Sequence, residues 1–142
     1  LQAALDFESA SSDRYRRLSA REPDSPFADL LNSLADEEDR HRASLAELVS
    51  GGYGQTPPFG DECPMPRKVE GEIADGEAGD MAWRREAVAN LIEHERASAE
   101  FYRALADRTI VPSVKPVFQR LAEDEWRHLD RLECGFRSNG KS

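Results

Sequence analysis

The stretch Ala122-Glu123-Asp124-Glu125-Trp126-Arg127-His128 decides how this chain is read. A near-copy lies upstream, Ala35-Asp36-Glu37-Glu38-Asp39-Arg40-His41, so acid-Glu-x-Arg-His occurs twice, 87 residues apart. The same offset pairs Glu8 with Glu95, Tyr15 with Tyr102, Leu18 with Leu105, Leu34 with Leu121 and Leu45 with Leu132, with no gap. The chain is therefore two copies of one helical hairpin, at about 1–50 and 80–135, joined by a crossover at about 50–80. We expect one domain over residues 1–142.

Periodicity places both motifs on helices. From residue 26 to about 49 the positions Phe27, Leu31, Leu34, Glu38, His41, Leu45 and Leu48 step 4-3-4-3-4-3, the seam of a bundle helix. Pro23 and Pro26 precede it, with Asp24 or Ser25 as its N-cap. The first helix, about 1–20, carries Leu5, Glu8, Ser12 (or Ser11), Tyr15 and Leu18 on one face. The third, about 80–107 with Asp80 as N-cap, carries Val88, Leu91 (or Ile92), Glu95, Ala99 (or Ser98), Tyr102 and Leu105. The fourth carries Val114, Phe118, Leu121, Glu125, His128 and Leu132 and is expected to stop near Cys134, with Gly135 marking its end. The terminal residues 138–142 are expected to fray. Gly51 and Gly52 end the second helix. The crossover, with Pro57, Pro58, Pro64 and Pro66, is expected to be non-helical to at least Arg67 and to run the length of the bundle, so that the second and third helices lie parallel. Tyr53 and Phe59 are its candidate anchors.

The fold class expected is all-α, a four-helix bundle with a long crossover. Composition agrees: 33% charged, 39% hydrophobic and 8% aromatic residues favour helices over a sheet. The formal charge of −9 argues against nucleic acid as a partner. No apolar run is long enough to cross a membrane, and no secretory signal opens the chain. Cys63 and Cys134 are isolated, which argues against a disulfide scaffold or a four-cysteine metal centre and suits a reducing, cytoplasmic setting. The first residue is Leu1 and not Met, which leaves room for residues in front of it.

Ionisable groups interrupt all four apolar stripes at mid-height. A buried ion costs on the order of several kcal/mol unless a partner compensates. Glu8 and Glu95 stand alone on their helices, whereas Glu38 with His41 and Glu125 with His128 lie one turn apart, roughly 5–6 Å at Cβ. One Glu from each of two helices plus Glu-x-x-His from each of the others is the ligand set of a two-metal carboxylate bundle. Oxygen-rich ligation with one imidazole per ion suits Fe, or Mn, better than Zn or Cu. Two divalent ions would cancel four glutamates. By the repeat, Glu8 and His41 would hold one ion, Glu95 and His128 the other, and Glu38 and Glu125 would bridge. Glu37 and Asp124, each four residues before a histidine, are candidates to accept its free ring N–H, with Arg40 and Arg127 holding those acids. Tyr15 and Tyr102 are placed to donate to ligand carboxylates across the bundle. His94 falls beside the ligand face and is expected to be exposed. Trp83 and Trp126 are read as packing or interface residues.

The twice-repeated Glu-x28-acid-Glu-x-Arg-His pattern resembles the ferritin-like di-iron superfamily. The small size, long crossover and paired Glu-x6-Tyr look most like a rubrerythrin-type protein. The resemblance spans about 5–48 and 88–132. It implies that Glu8, Glu38, His41, Glu95, Glu125 and His128 ligate two iron ions. It also implies that the protein reduces peroxide, or oxidises Fe2+ with O2 or H2O2. The alternatives are an iron-binding or storage module, a di-iron hydroxylase of an organic substrate, or a bundle without metal. Rubrerythrins usually carry a rubredoxin-like module with a four-cysteine iron site; this chain does not, so a separate electron-donor protein is expected. They also carry an additional Glu three residues after the helix-three ligand, where this chain has Ser98. A homodimer is expected for a bundle of this size.

Overall fold

The computed structural model describes residues 1–21, 23, 25–53, 65, 67, 69 and 81–139. Four helices account for most of them: α1 (Gln2–Ser19), α2 (Pro26–Leu48), α3 (Met81–Arg108) and α4 (Lys115–Asn139). The expected all-α bundle is what the chain forms. Ser25 caps α2, its hydroxyl accepting from the Ala28 N–H, with Pro26 at the first helical position. A π-helical turn at Val49–Tyr53 follows α2, and Gly52 takes φ 106°, a conformation that glycine adopts without strain. The alternative cap Asp24, the cap Asp80, the Tyr53 side chain, Phe59, Cys63, the crossover prolines and residues 140–142 lie outside the described residues.

One helix end differs from expectation. Helix α4 does not stop at Gly135 but continues to Asn139. The glycine serves packing instead: a Cβ there would sit 2.6 Å from Leu30 Cδ2, so α4 passes close to the start of α2. A C-terminal glycine and a close-approach glycine look alike in sequence, and here the second use prevails.

Polar pairs give the helix directions. Arg16 meets Asp36 and Asp39, and Ser19 meets Asn32, so α1 and α2 are antiparallel. His41 meets Asp124 while Ser33 meets Arg131, so α2 and α4 are antiparallel as well. The short connection makes α3 and α4 antiparallel, which leaves α2 and α3 parallel. Two apolar clusters fill the bundle. One contains Leu45, Tyr102, Leu105, Phe118 and Leu121; the other contains Tyr15, Phe27, Leu31, Leu34, Leu91 and Leu132. Between them lies a layer of buried carboxylates and imidazoles.

Candidate metal centre

The layer is built from the positions where ionisable groups replace apolar ones in each stripe. Glu8, Glu38, His41, Glu95, Glu125 and His128 are all buried, none more than 5% exposed. They form two overlapping groups, Glu8–Glu38–His41–Glu125 and Glu38–Glu95–Glu125–His128, and the ligand atoms of each lie within 4.8 Å of one another. Glu38 and Glu125 belong to both. His41 Nδ1 lies 2.8 Å from Glu125 and 3.7 Å from Glu8, while His128 Nδ1 lies 2.9 Å from Glu38 and 3.5 Å from Glu95. The two rings stack at 5.5 Å with a 10° tilt. The arrangement has the approximate two-fold symmetry of the sequence repeat.

The tyrosines sort the carboxylates. Tyr15 donates to Glu95 Oε1 and Tyr102 to Glu8 Oε1, each from the opposite hairpin. Glu8 and Glu95 therefore have one oxygen tied and one free, whereas both oxygens of Glu38 and of Glu125 are free. Together with Nδ1 of each histidine, these buried atoms make no well-aligned hydrogen bond among the described residues, although each Nδ1 lies within 2.9 Å of a carboxylate oxygen. A buried polar group without a partner is costly, and here eight of them converge. Hard oxygen donors with one imidazole on each side are a donor set able to hold a metal ion. Glu38 and Glu125, shared by both groups, can offer an oxygen to each.

The electrostatics follow. Burial, then the neighbouring carboxylates, pushes Glu38 and Glu125 well above the usual range. Burial also pushes Glu95 up, but the adjacent Glu125, His128 and Tyr15 outweigh it and leave Glu95 below its usual value. Burial pushes His41 down, and Glu8 and Asp124 more than reverse this. Tyr15 and Tyr102 are held well above 10, by burial first and then by the adjacent glutamates.

The outer acids are exchanged relative to expectation. Asp124 lies 3.1 Å from His41 Nε2, and Glu37 bonds His128 Nε2. Each acid thus serves the histidine of the neighbouring helix, not the one four residues along its own. The cause is the antiparallel α2–α4 seam: with each Nδ1 turned into the centre, Nε2 points across to the other helix. Arg127 pairs with Asp124, and Arg40 stands 3.8 Å from Glu37. Sequence reasoning missed Arg131, which donates to Glu37 at 2.9 Å and to Ser33 at 2.8 Å. Its signal is a break in the repeat, because the equivalent position is Ser44.

Ser98 is buried one turn after Glu95, its hydroxyl unpartnered among the described residues. His94 is half-buried, not exposed, and burial with Arg14 nearby lowers it to about 4. Trp83 is buried, with Arg21 5.7 Å from its ring centre, and Trp126 is 43% exposed. Among the described residues no helix is long and apolar enough to cross a membrane.

A family profile described as rubrerythrin matches residues 1–134. Among solved structures, a hypothetical protein from Pyrococcus furiosus superposes with a TM-score of 0.75 at 23% identity, covering 94% of this chain and 84% of that one. That likeness speaks for the fold alone. No curated protein matches the chain.

Proposed function

The chain belongs to the rubrerythrin family, and on that premise we propose a non-haem di-iron oxidoreductase that reduces peroxide or oxidises Fe2+ with O2 or H2O2. The observation that carries this reading is the convergence of eight unpartnered donor atoms from six buried side chains. Two iron ions there would supply the redox chemistry, cycling between ferrous and ferric; manganese would fit the same donors.

The protein's own residues would do four things. Glu38 and Glu125 would hold both ions and neutralise their charge. Glu8 with His41, and Glu95 with His128, would complete the two positions. Tyr102 and Tyr15 would fix the rotamers of Glu8 and Glu95, leaving one oxygen of each facing inward. Asp124 and Glu37 would keep the proton on Nε2 of each histidine, so that Nδ1 presents a lone pair.

The groove that reaches His41 is lined by arginines and acids as well as Leu48, Val117 and Leu121. That lining suits a small polar oxidant better than an apolar organic substrate, which favours this reading over a hydroxylase. Electrons would come from a separate donor protein, and a homodimer and a cytoplasmic location are part of the same proposal.

The test is metal content per chain, followed by rapid mixing of the ferrous protein with H2O2 and, separately, with O2. About two irons per chain with faster oxidation by H2O2 supports peroxide reduction. Fast O2 consumption with continued iron uptake points to Fe2+ oxidation and storage. A chain that takes up no Fe2+ or Mn2+ under anaerobic loading refutes the metal-centre reading.

A further inference from the structure

The 87-residue offset makes each half of the centre a control for the other, and the halves differ in one respect. Beside His128, Arg131 reaches from α4 to Glu37 and Ser33 on α2 and bolts the two helices together. The equivalents of Ser33 and Arg131 in the other half are Arg120 and Ser44. There the arginine is on the same helix as the acid Asp124, four residues before it, and the facing residue is a short serine. No bolt forms: the side chains of Arg120 and Ser44 make no hydrogen bond or ion pair with the described residues. A groove of about 640 Å³ occupies this place, lined by His41, Ser44, Arg120, Asp124 and Arg127 and bounded at one end by the Arg131–Glu37 pair. His128 does not line it and is fully buried, whereas His41 is 5% exposed. Over His41, Asp124 is held by the His41 Nε2 hydrogen bond at 3.1 Å and by Arg127, a one-turn pair whose arginine is 67% exposed. Such pairs hold weakly.

We infer that the groove over His41 is the route by which metal ions and oxidant reach the centre, and that the Glu8–His41 position exchanges its ion faster than the Glu95–His128 position. The inference rests on the metal-centre reading above. An ion on the His41 side leaves once Asp124 swings away with Arg127. An ion on the His128 side has the Arg131 bolt in front of it.

The experiment loads the full chain anaerobically with Mn2+, adds excess chelator, and follows bound Mn2+ by elemental analysis of rapidly desalted samples. Two phases of equal amplitude are expected, with rates differing by roughly tenfold or more. Arg131→Ser should accelerate the slow phase alone. The paired change Arg120→Ser with Ser44→Arg copies the bolt and should slow the fast phase alone. If one variant fails to fold, the wild type and the other variant still decide. Release of both ions in one phase overturns the inference while leaving the metal centre standing, as do two phases that neither variant moves. A chain that binds no Mn2+ overturns both.

Discussion

Asp124 Oδ2 lies 3.1 Å from His41 Nε2, across the seam between α2 and α4, although His128 is one turn away on its own helix. Each histidine is thus oriented by an acid from the other hairpin. Asp124→Ala should weaken the ion at the Glu8–His41 position by roughly 10–100-fold, the range typical of lost outer hydrogen bonds to metal-bound histidines. Glu37→Ala should do the same at the Glu95–His128 position. Competition with a chromophoric chelator measures both; equal weakening of the two positions by either change would contradict the crossed pairing.

Protonation and metal binding should pull stability in opposite directions. Glu38 and Glu125 are raised in the folded chain by burial and by neighbouring carboxylates. Their contribution is fully present below the ordinary value of 4.5 and is lost as pH rises through the raised value. His41 is also raised, so its contribution is lost at pH values above 6.5. Glu95, lowered, acts only below 4.5. The metal-free chain should therefore melt at higher temperature at pH about 5 than at pH about 8. With Mn2+ present the slope should reverse, because the ligands must be deprotonated to bind. Glu38→Gln should stabilise the metal-free chain at neutral pH by about 1–3 kcal/mol, and the same variant should take up less metal on loading. Thermal melts with and without metal check each sign.

Tyr15 and Tyr102 each satisfy a buried glutamate oxygen. Tyr15→Phe or Tyr102→Phe leaves that oxygen unpaired and should cost about 1–3 kcal/mol in urea unfolding of the metal-free chain. An ultraviolet titration of the folded protein should find two of the three tyrosines ionising only well above pH 10. Ordinary titration of all three would show the hydroxyls to be solvated.

Gly135→Ala sets helix propensity against space. Alanine gains roughly 1 kcal/mol in a helix interior, but its Cβ meets Leu30 Cδ2 at 2.6 Å. The obstacle is the end of a half-buried side chain, which can turn away at some cost. In the wild type the change should be close to neutral. In a Leu30→Ala background it should stabilise by about 1 kcal/mol. An equal effect in both backgrounds would mean that Leu30 is not what the glycine accommodates.

The bundle is legible because its stripes are long and regular. Phe27, Leu31, Leu34 and Leu45 keep step through α2, and the ionisable residues between them stand out for being where leucine belongs. The clustering of Glu8, Glu38, His41, Glu95, Glu125 and His128 follows from that register. What sequence does not supply is lateral: which neighbour a side chain crosses to. Closeness in number pairs Glu37 with His41, whereas the seam pairs it with His128. Gly135 misleads for a related reason, since a helix stop and a close contact require the same residue. Arg131 acts through α2, a helix on which it leaves no trace in the sequence, and only its mismatch with Ser44 marks it.

The hydrogen bonds of the two tyrosines and the two outer acids all join one hairpin to the other: Tyr15 to Glu95, Tyr102 to Glu8, Asp124 to His41 and Glu37 to His128. Two identical hairpins could assemble as a symmetric pair and make the same contacts. Such a pair could never carry an arginine at one door and a serine at the other, since any change would appear at both. Writing the two copies into one chain removes that constraint, so ancestry as a duplicated half-length protein would account for both the matched interior and the unmatched rim.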